Sequence, residues 1–242
     1  MAVDQKKFVV EIWSDIMCPF CYIGKEKFDR ALSAFPGKGQ VKVVWKSFQL
    51  MPHLKTEHDI TIHQMLAREK GISLQQAQQM NGHVFNLGHE VGLKFNFDQA
   101  VVANTFTAHR LLHFAKTKGL QHEAEGRLFK AFFTEGKNID DIPTLINIGA
   151  ELGLDTEELT QVLNSDTFTN EVLADMEEAR QLGVTGVPFF VLDRKYAVSG
   201  AQPVDTFRSA LERAHTEWLA TGTTSIETLG DGAACTPGGT CN

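Results

Sequence analysis

Cysteine is scarce in this chain. Four in 242 residues is far below the density of a disulfide-stapled scaffold, so bridges are not what holds the core. Their placement is uneven, with Cys18 and Cys21 near the front and Cys235 and Cys241 in the last eight residues. That pattern assigns cysteine to chemistry rather than to stapling. Basic residues are outnumbered: the net charge is −7 and no run of lysine and arginine occurs, which argues against nucleic acid or an anionic membrane surface as partner. Long apolar runs are lacking too. Residues 1–7 are polar, and the apolar stretch after them is broken by Glu11 and Asp15, so neither a signal peptide nor a membrane span is expected. The expected compartment is the cytoplasm, where thiols are kept reduced. No repeat of the length that builds solenoids is visible.

What the chain has is a cysteine pair at a change of periodicity. The run from Phe8 to Trp13 is β-branched, aromatic and apolar, as in a buried strand, whereas Phe28, Ala31, Leu32 and Phe35 recur at helical spacing. Cys18-Pro19-Phe20-Cys21 lies between them. Pro19 brings a pre-set φ and a missing N–H that suit a first helical turn, placing Cys18 at the N-cap with free backbone N–H groups near its sulfur. The helix dipole and those donors favour a thiolate there. Cys18 is thus the expected attacking sulfur, and Cys21, one turn on and more shielded, the expected resolving one.

Further along, Pro36-Gly37-Lys38-Gly39 is turn chemistry and residues 41–50 read as a second strand, parallel to the first through a right-handed crossover. From residue 52 to about 183 the pattern becomes helical, over residues 61–70, 73–91, 98–118, 120–135, 143–152, 155–163 and 168–182. Gly71, Gly92, Gly119, Gly136, Gly153 and Gly183 each fall where a left-handed C-terminal cap is wanted. Strand character returns at residues 187–192. Asp193-Arg194-Lys195 reads as a hairpin turn into residues 196–199, and a last helix covers 204–220. The expected fold class is α/β: a split sheet domain, β-α-β and β-β-α, from residues 1–52 and 184–220, divided by a helical insertion at 53–183, with a flexible tail at 221–242. The site would lie at the carboxyl end of the first strand, between sheet and insert.

A lone Cys-X-X-Cys pair is also half of many zinc sites. A strand-to-helix junction favours redox chemistry, and a four-thiolate site would have to recruit Cys235 and Cys241, separated by five residues where zinc knuckles have about two to four. His109 and His113 stand four apart on one helix with no third ligand, which reads as a packed or a solvated helix face. Phe106, Phe114, Phe129, Phe132 and Phe133 read as core or as the lining of a substrate cleft. The second anchor is Gly186-Val187-Pro188, with proline at the very start of a strand. It is either an ordinary trans proline or a cis one that presents the Val187 backbone to an extended substrate beside Cys18.

Cys18-Pro19-Phe20-Cys21-Tyr22-Ile23-Gly24-Lys25, with Gly186-Val187-Pro188, resembles the DsbA-type thioredoxin-fold oxidoreductases, and specifically their FrnE-like cytoplasmic branch. The stretches 104–111 and 199–203 resemble that branch as well. The resemblance implies a thioredoxin-like fold with a large helical insertion, a cis Pro188 facing the dithiol, and disulfide exchange with protein or small-molecule thiols and disulfides, with no metal or organic cofactor. The family's acidic position on the central strand matches Glu11, implying a proton relay, one residue further from the dithiol than in periplasmic members; the plainer reading is a strand-edge carboxylate. Some FrnE-like proteins carry a C-terminal dithiol with one fewer intervening residue than Cys235 and Cys241, which would make this tail a second redox pair. The competing expectations are a relative of kappa-class glutathione transferases and chromene-carboxylate isomerases, which use a serine or lone thiol with glutathione, and a non-catalytic holdase chaperone.

Overall fold

The computed structural model describes residues 7–220, together with the backbone of 227–228, 235–236 and 240–241. The chain opens with β1 (Phe8–Ser14), α1 (Pro19–Ala34) and β2 (Val41–Ser47), the strands parallel and in register from Phe8 against Val41 to Ser14 against Ser47. After the helical stretch come β5 (Phe189–Leu192), β6 (Tyr196–Ser199) and α9 (Val204–Ala220). β5 runs antiparallel to β1, and the sheet order is β2-β1-β5-β6, extended by the short pairing of β6 with Glu227–Thr228. The two halves of the sheet, far apart in sequence, therefore meet along β1 and β5. Asp193 and Arg194 both take positive φ, 49° and 56°, the backbone that a tight hairpin between twisted strands requires.

The insert contains β3 (Glu57–Thr61), α2 (Ile62–Lys70), α3 (Leu74–Glu90), β4 (Val101–Val102), α4 (Phe106–Thr117), α5 (Gln121–Phe133), α6 (Ile142–Glu151), α7 (Thr156–Leu163) and α8 (Thr169–Gln181). Thr61 and Ser73 close capping boxes with Gln64 and Gln76, and Asp141 and Asp155 cap the helices that follow them. All six glycines expected as left-handed caps have positive φ. The helix expected over 98–118 begins only at Phe106. Residues before it form β4, which pairs antiparallel with β3, a strand that periodicity did not reveal in so short and irregular a ladder.

Period-two alternation along β1 sorts the core. Phe8, Val10 and Ile12 point to a cluster with Phe28 of α1, Phe190 of β5, and Phe207, Leu211 and Trp218 of α9, each such side chain contributing about 1.5–3 kcal/mol on burial. Trp13, one step out of phase, faces the insert and joins the other cluster. The open edge of β2 is not left bare: the Gln121 side chain accepts the Trp45 N–H at 3.1 Å and donates to the Trp45 carbonyl at 2.9 Å. α8 docks through buried Asp175. Its carboxylate accepts from the Ser47 N–H at 3.0 Å, pairs with Lys46 at 2.8 Å and meets His113 at 3.1 Å, while its backbone carbonyl accepts the Trp13 indole N–H at 2.9 Å.

Burial alone would push the Asp175 carboxyl up. The hydrogen bonds from His113, Lys46 and the Ser47 N–H, with the Lys46 charge, outweigh it and hold the group below the usual carboxylate range. A depressed folded value means stability that is fully present above the ordinary carboxylate pKa of about 4 and lost as pH falls through the folded value. Asp175→Ala should therefore cost about 3–5 kcal/mol in urea unfolding at pH 7, with the gap to wild type shrinking below about pH 4.

Candidate active site

β1 ends at Ser14, and the chain turns through Asp15 so that the Cys18 N–H donates to the Asp15 carbonyl at 2.9 Å. Cys18 is the N-cap of α1 (φ −88°, ψ 112°) and Pro19 its first residue, as the proline's fixed φ favours. The Asp15 side chain is fully buried and binds the loop after β2 to this turn: it accepts the Leu50 N–H at 2.8 Å and the Met17 N–H at 3.4 Å. Asn104 fixes the same loop from the insert, donating to the Leu54 carbonyl at 2.7 Å and accepting from Gln49 at 3.0 Å. The stretch around Asn104 thus shapes the approach to the dithiol from outside it.

The far half of the chain supplies the opposite wall. The Val187–Pro188 peptide is cis, and the Cys18 thiol meets the Val187 carbonyl oxygen at 3.6 Å. Gly24 on α1 makes that approach possible, since a Cβ there would stand 2.9 Å from the Pro188 ring. The Gly200 N–H donates to the Pro188 carbonyl at 2.8 Å, which ties the 199–203 stretch to the same wall. Both cysteines are free thiols and buried. Burial pushes the Cys21 thiol well above its ordinary value, the adjacent Cys18 adds to the rise, and hydrogen bonds from the Asp15 backbone and then Ser14 oppose it.

Beside Cys18 lies a cavity of about 440 Å3 whose lining includes Met17, Phe20, Met51, Met65, Met80 and Phe132. Phe114, Phe129, Phe132 and Phe133 are core, and the last two also face this cavity; Tyr22, the residue after Cys21, stacks on Phe129 at 4.9 Å. Of the two faces open to them, His109 and His113 take the packed one, His109 against the Phe48 carbonyl at 3.1 Å and His113 against Ser47 at 3.2 Å.

Cys18, Cys21, Val187 and Pro188 are brought together. Glu11 goes elsewhere. It is buried in an ion pair with Arg194, which also reaches Glu178 at 2.6 Å and lies over the Trp13 ring at 5.9 Å. Burial nevertheless leaves its carboxyl above the ordinary value, because loss of solvent outweighs Arg194. The side chains of Cys235 and Cys241 lie outside the described residues; the backbone places the two opposite each other in a two-stranded antiparallel pairing.

Two site residues escape a first reading of the sequence: Ser14 and Glu125. Glu125 is fully buried on α5, and Ser14 donates to it at 2.7 Å. The signal existed, since Glu125 shares an apolar stripe with Leu128, Phe129 and Phe132, where a carboxylate is out of place.

A buried dithiol opening the helix after the central strand, on a sheet completed across a helical insertion, defines a class. Residues 9–212 match the DSBA-like thioredoxin domain, and the chain belongs to that family of thiol–disulfide oxidoreductases. A probable DsbA oxidoreductase from Streptomyces coelicolor is similar over 97% of this chain and 98% of its own, at 40% identity and a TM-score of 0.82. The uncharacterised protein YwbO of Bacillus subtilis is 29% identical over 205 residues, 84% of this chain and 94% of that protein. The cytosolic disulfide reductase DsbM of Pseudomonas aeruginosa shares the fold at 19% identity, with a TM-score of 0.62 over 88% of this chain and 100% of that one. No helix among the described residues is long and apolar enough to cross a membrane.

A thiol reacts as its thiolate, so a raised value slows it. In the native protein at pH 7.5, Cys21 should therefore be alkylated by iodoacetamide at least about tenfold more slowly than in urea, as read by isotope-coded peptide mapping.

Proposed function

We propose that this chain exchanges disulfides with protein or small-molecule partners in the cytoplasm, with Cys18 as the attacking sulfur and Cys21 as the resolving one. The observation that carries this is the Cys18 thiol at the mouth of α1, 3.6 Å from the Val187 carbonyl and beside an apolar cavity. Cys18 attacks one sulfur of a substrate disulfide and expels the other as a thiolate. Cys21 then attacks Cys18 in the mixed disulfide, closing Cys18–Cys21 and releasing the second substrate thiolate. The reverse sequence oxidises a substrate dithiol.

Cys18 has no exposed surface, so a substrate reaches it by displacing part of its cover. Methionine is well suited to such a wall, being unbranched and able to repack around different apolar side chains. Val187 and Pro188 offer backbone to an extended substrate segment. Restriction of cysteine to two pairs fits a reducing compartment in which thiols carry chemistry, and the motif context resembles that of the FrnE-like branch. In that branch the tail pair would pass disulfides to or from Cys18 and Cys21. The antiparallel register of Cys235 with Cys241 supports a closable pair, since directly opposed Cα atoms stand about 4.5–5.5 Å apart and disulfides span about 4.4–6.8 Å. A glutathione-dependent transferase or isomerase using one thiol would have no work for Cys21.

Insulin reduction driven by dithiothreitol should fall to background in Cys18→Ala. Cys21→Ser should accumulate a mixed disulfide through Cys18, and with the tail intact part of it should map by mass spectrometry to Cys235 or Cys241. Full turnover by Cys18→Ala sinks the exchange reading, while a tail that never links to Cys18 removes only the relay.

A further inference from the structure

Resolution of the mixed disulfide needs a base. Cys21 must lose its proton as it attacks, yet it is fully buried and bulk solvent does not touch it. Glu11, the acid on the central strand, is held by Arg194. The other side of Cys21 is different. Ser14, at the end of β1, acts on its thiol together with the Asp15 backbone, and the Ser14 hydroxyl donates to Glu125 Oε1 at 2.7 Å. Glu125 has no exposed surface and its Oε2 has no hydrogen-bond partner among the described residues. A buried carboxylate oxygen without a protein partner costs stability, and a group that holds a proton during turnover is one reason to retain it.

We propose that Ser14 and Glu125 form the proton path of the resolving cysteine. The inference rests on the oxidoreductase reading above. In the forward step the Cys21 S–H proton passes to Ser14 Oγ as the Ser14 proton passes to the Glu125 carboxylate. The Cys21 sulfur forms its bond to Cys18, the bond from Cys18 to the substrate sulfur breaks, and the substrate leaves as a thiolate. When a substrate thiolate attacks the closed Cys18–Cys21 disulfide, the departing Cys21 takes the proton back by the same route. Glu125 acts through Ser14, so it is a positioning residue; it touches no reacting sulfur.

The groups facing Glu125 tune it from three elements: Lys25 on α1 and His109 on α4 favour its ionised form, Asp15 in the turn disfavours it. Burial dominates and holds the carboxyl above the ordinary range. A raised carboxyl is a better match to a buried thiol than an ordinary one, because proton transfer is easiest between groups of similar affinity.

The test uses the full chain carrying Cys235→Ser and Cys241→Ser, reduced and mixed with excess 5,5′-dithiobis(2-nitrobenzoate). The first nitrothiobenzoate released reports attack by Cys18, and the second reports resolution by Cys21. In the parent the second rate should level off with rising pH once Glu125 is ionised. In Glu125→Gln and in Ser14→Ala it should drop about 100-fold at pH 7 and climb tenfold per pH unit without levelling, as hydroxide takes over. The first rate should change less than about twofold across the series. Ser14→Thr keeps the hydroxyl and should restore the plateau, so the serine pair decides the matter even if Glu125→Gln fails to fold. An unchanged second rate in Ser14→Ala, or equal slowing of both rates, overturns the path. A parent that releases no nitrothiobenzoate at all overturns the oxidoreductase reading itself, and the path with it.

Discussion

Contact between the Cys18 sulfur and the Val187 carbonyl joins residues 169 positions apart, and most of the architecture can be traced to keeping it at 3.6 Å. One partner is fixed by β1, the Asp15 turn and the first residue of α1. The other is fixed by β5, whose pairing with β1 aligns Trp13 with Phe189 immediately after Pro188. Neither half could set the distance alone. Long-range strand pairing sets it, and the entropy of closing so long a loop is met by apolar burial on both faces of the sheet.

The two sulfurs share a turn of helix but not an environment. Cys18 meets a backbone carbonyl, and its neighbours Met17 and Pro19 line an apolar cavity formed largely by the insert and the loop after β2. Cys21 is fully buried and subject to the Asp15 backbone and Ser14, which in turn donates to Glu125, while the Asp15 carboxylate meets His109 at 3.6 Å. One side of the dithiol therefore meets partners and the other handles protons. Asp15 and Glu125, though close in space, are different in kind. Both Asp15 oxygens take backbone N–H groups, the mark of a carboxylate that shapes a loop, whereas Glu125 leaves an oxygen unpaired.

Much of this was legible in the residues. Pro19 after Cys18 located the helix mouth, the glycines located helix ends, and Gly186-Val187-Pro188 located the opposing wall. Those signals are local: each rests on the backbone preferences of one or two residues. What stayed hidden was non-local. Periodicity over 98–118 suggested one helix, but β4 competes for part of it by pairing with β3, some forty residues earlier. Glu11 was the natural acid by position along β1. Arg194, brought in by the β5–β6 turn, claims it, and nothing near Glu11 in sequence announces that partner. Glu125 was readable as a misplaced charge on an apolar stripe, but its neighbour Ser14 lies 111 residues away.

The insert can now be assigned more than one physical duty. It closes the second face of the sheet by docking α8 on Trp13 and β2, it walls the cavity beside Cys18, and through α5 it sets a carboxylate against Ser14. The central strand β1 carries a single acid, Glu11. Here that strand's acid is occupied in an ion pair that joins β1 to the hairpin and α8, so the two tasks of anchoring and proton handling fall on different carboxylates. Separating them has a consequence for evolution of the fold. Changes on α5 can alter how readily Cys21 is ionised without disturbing the strand pairing that holds Cys18 against Val187, because the two carboxylates share no hydrogen-bond partner.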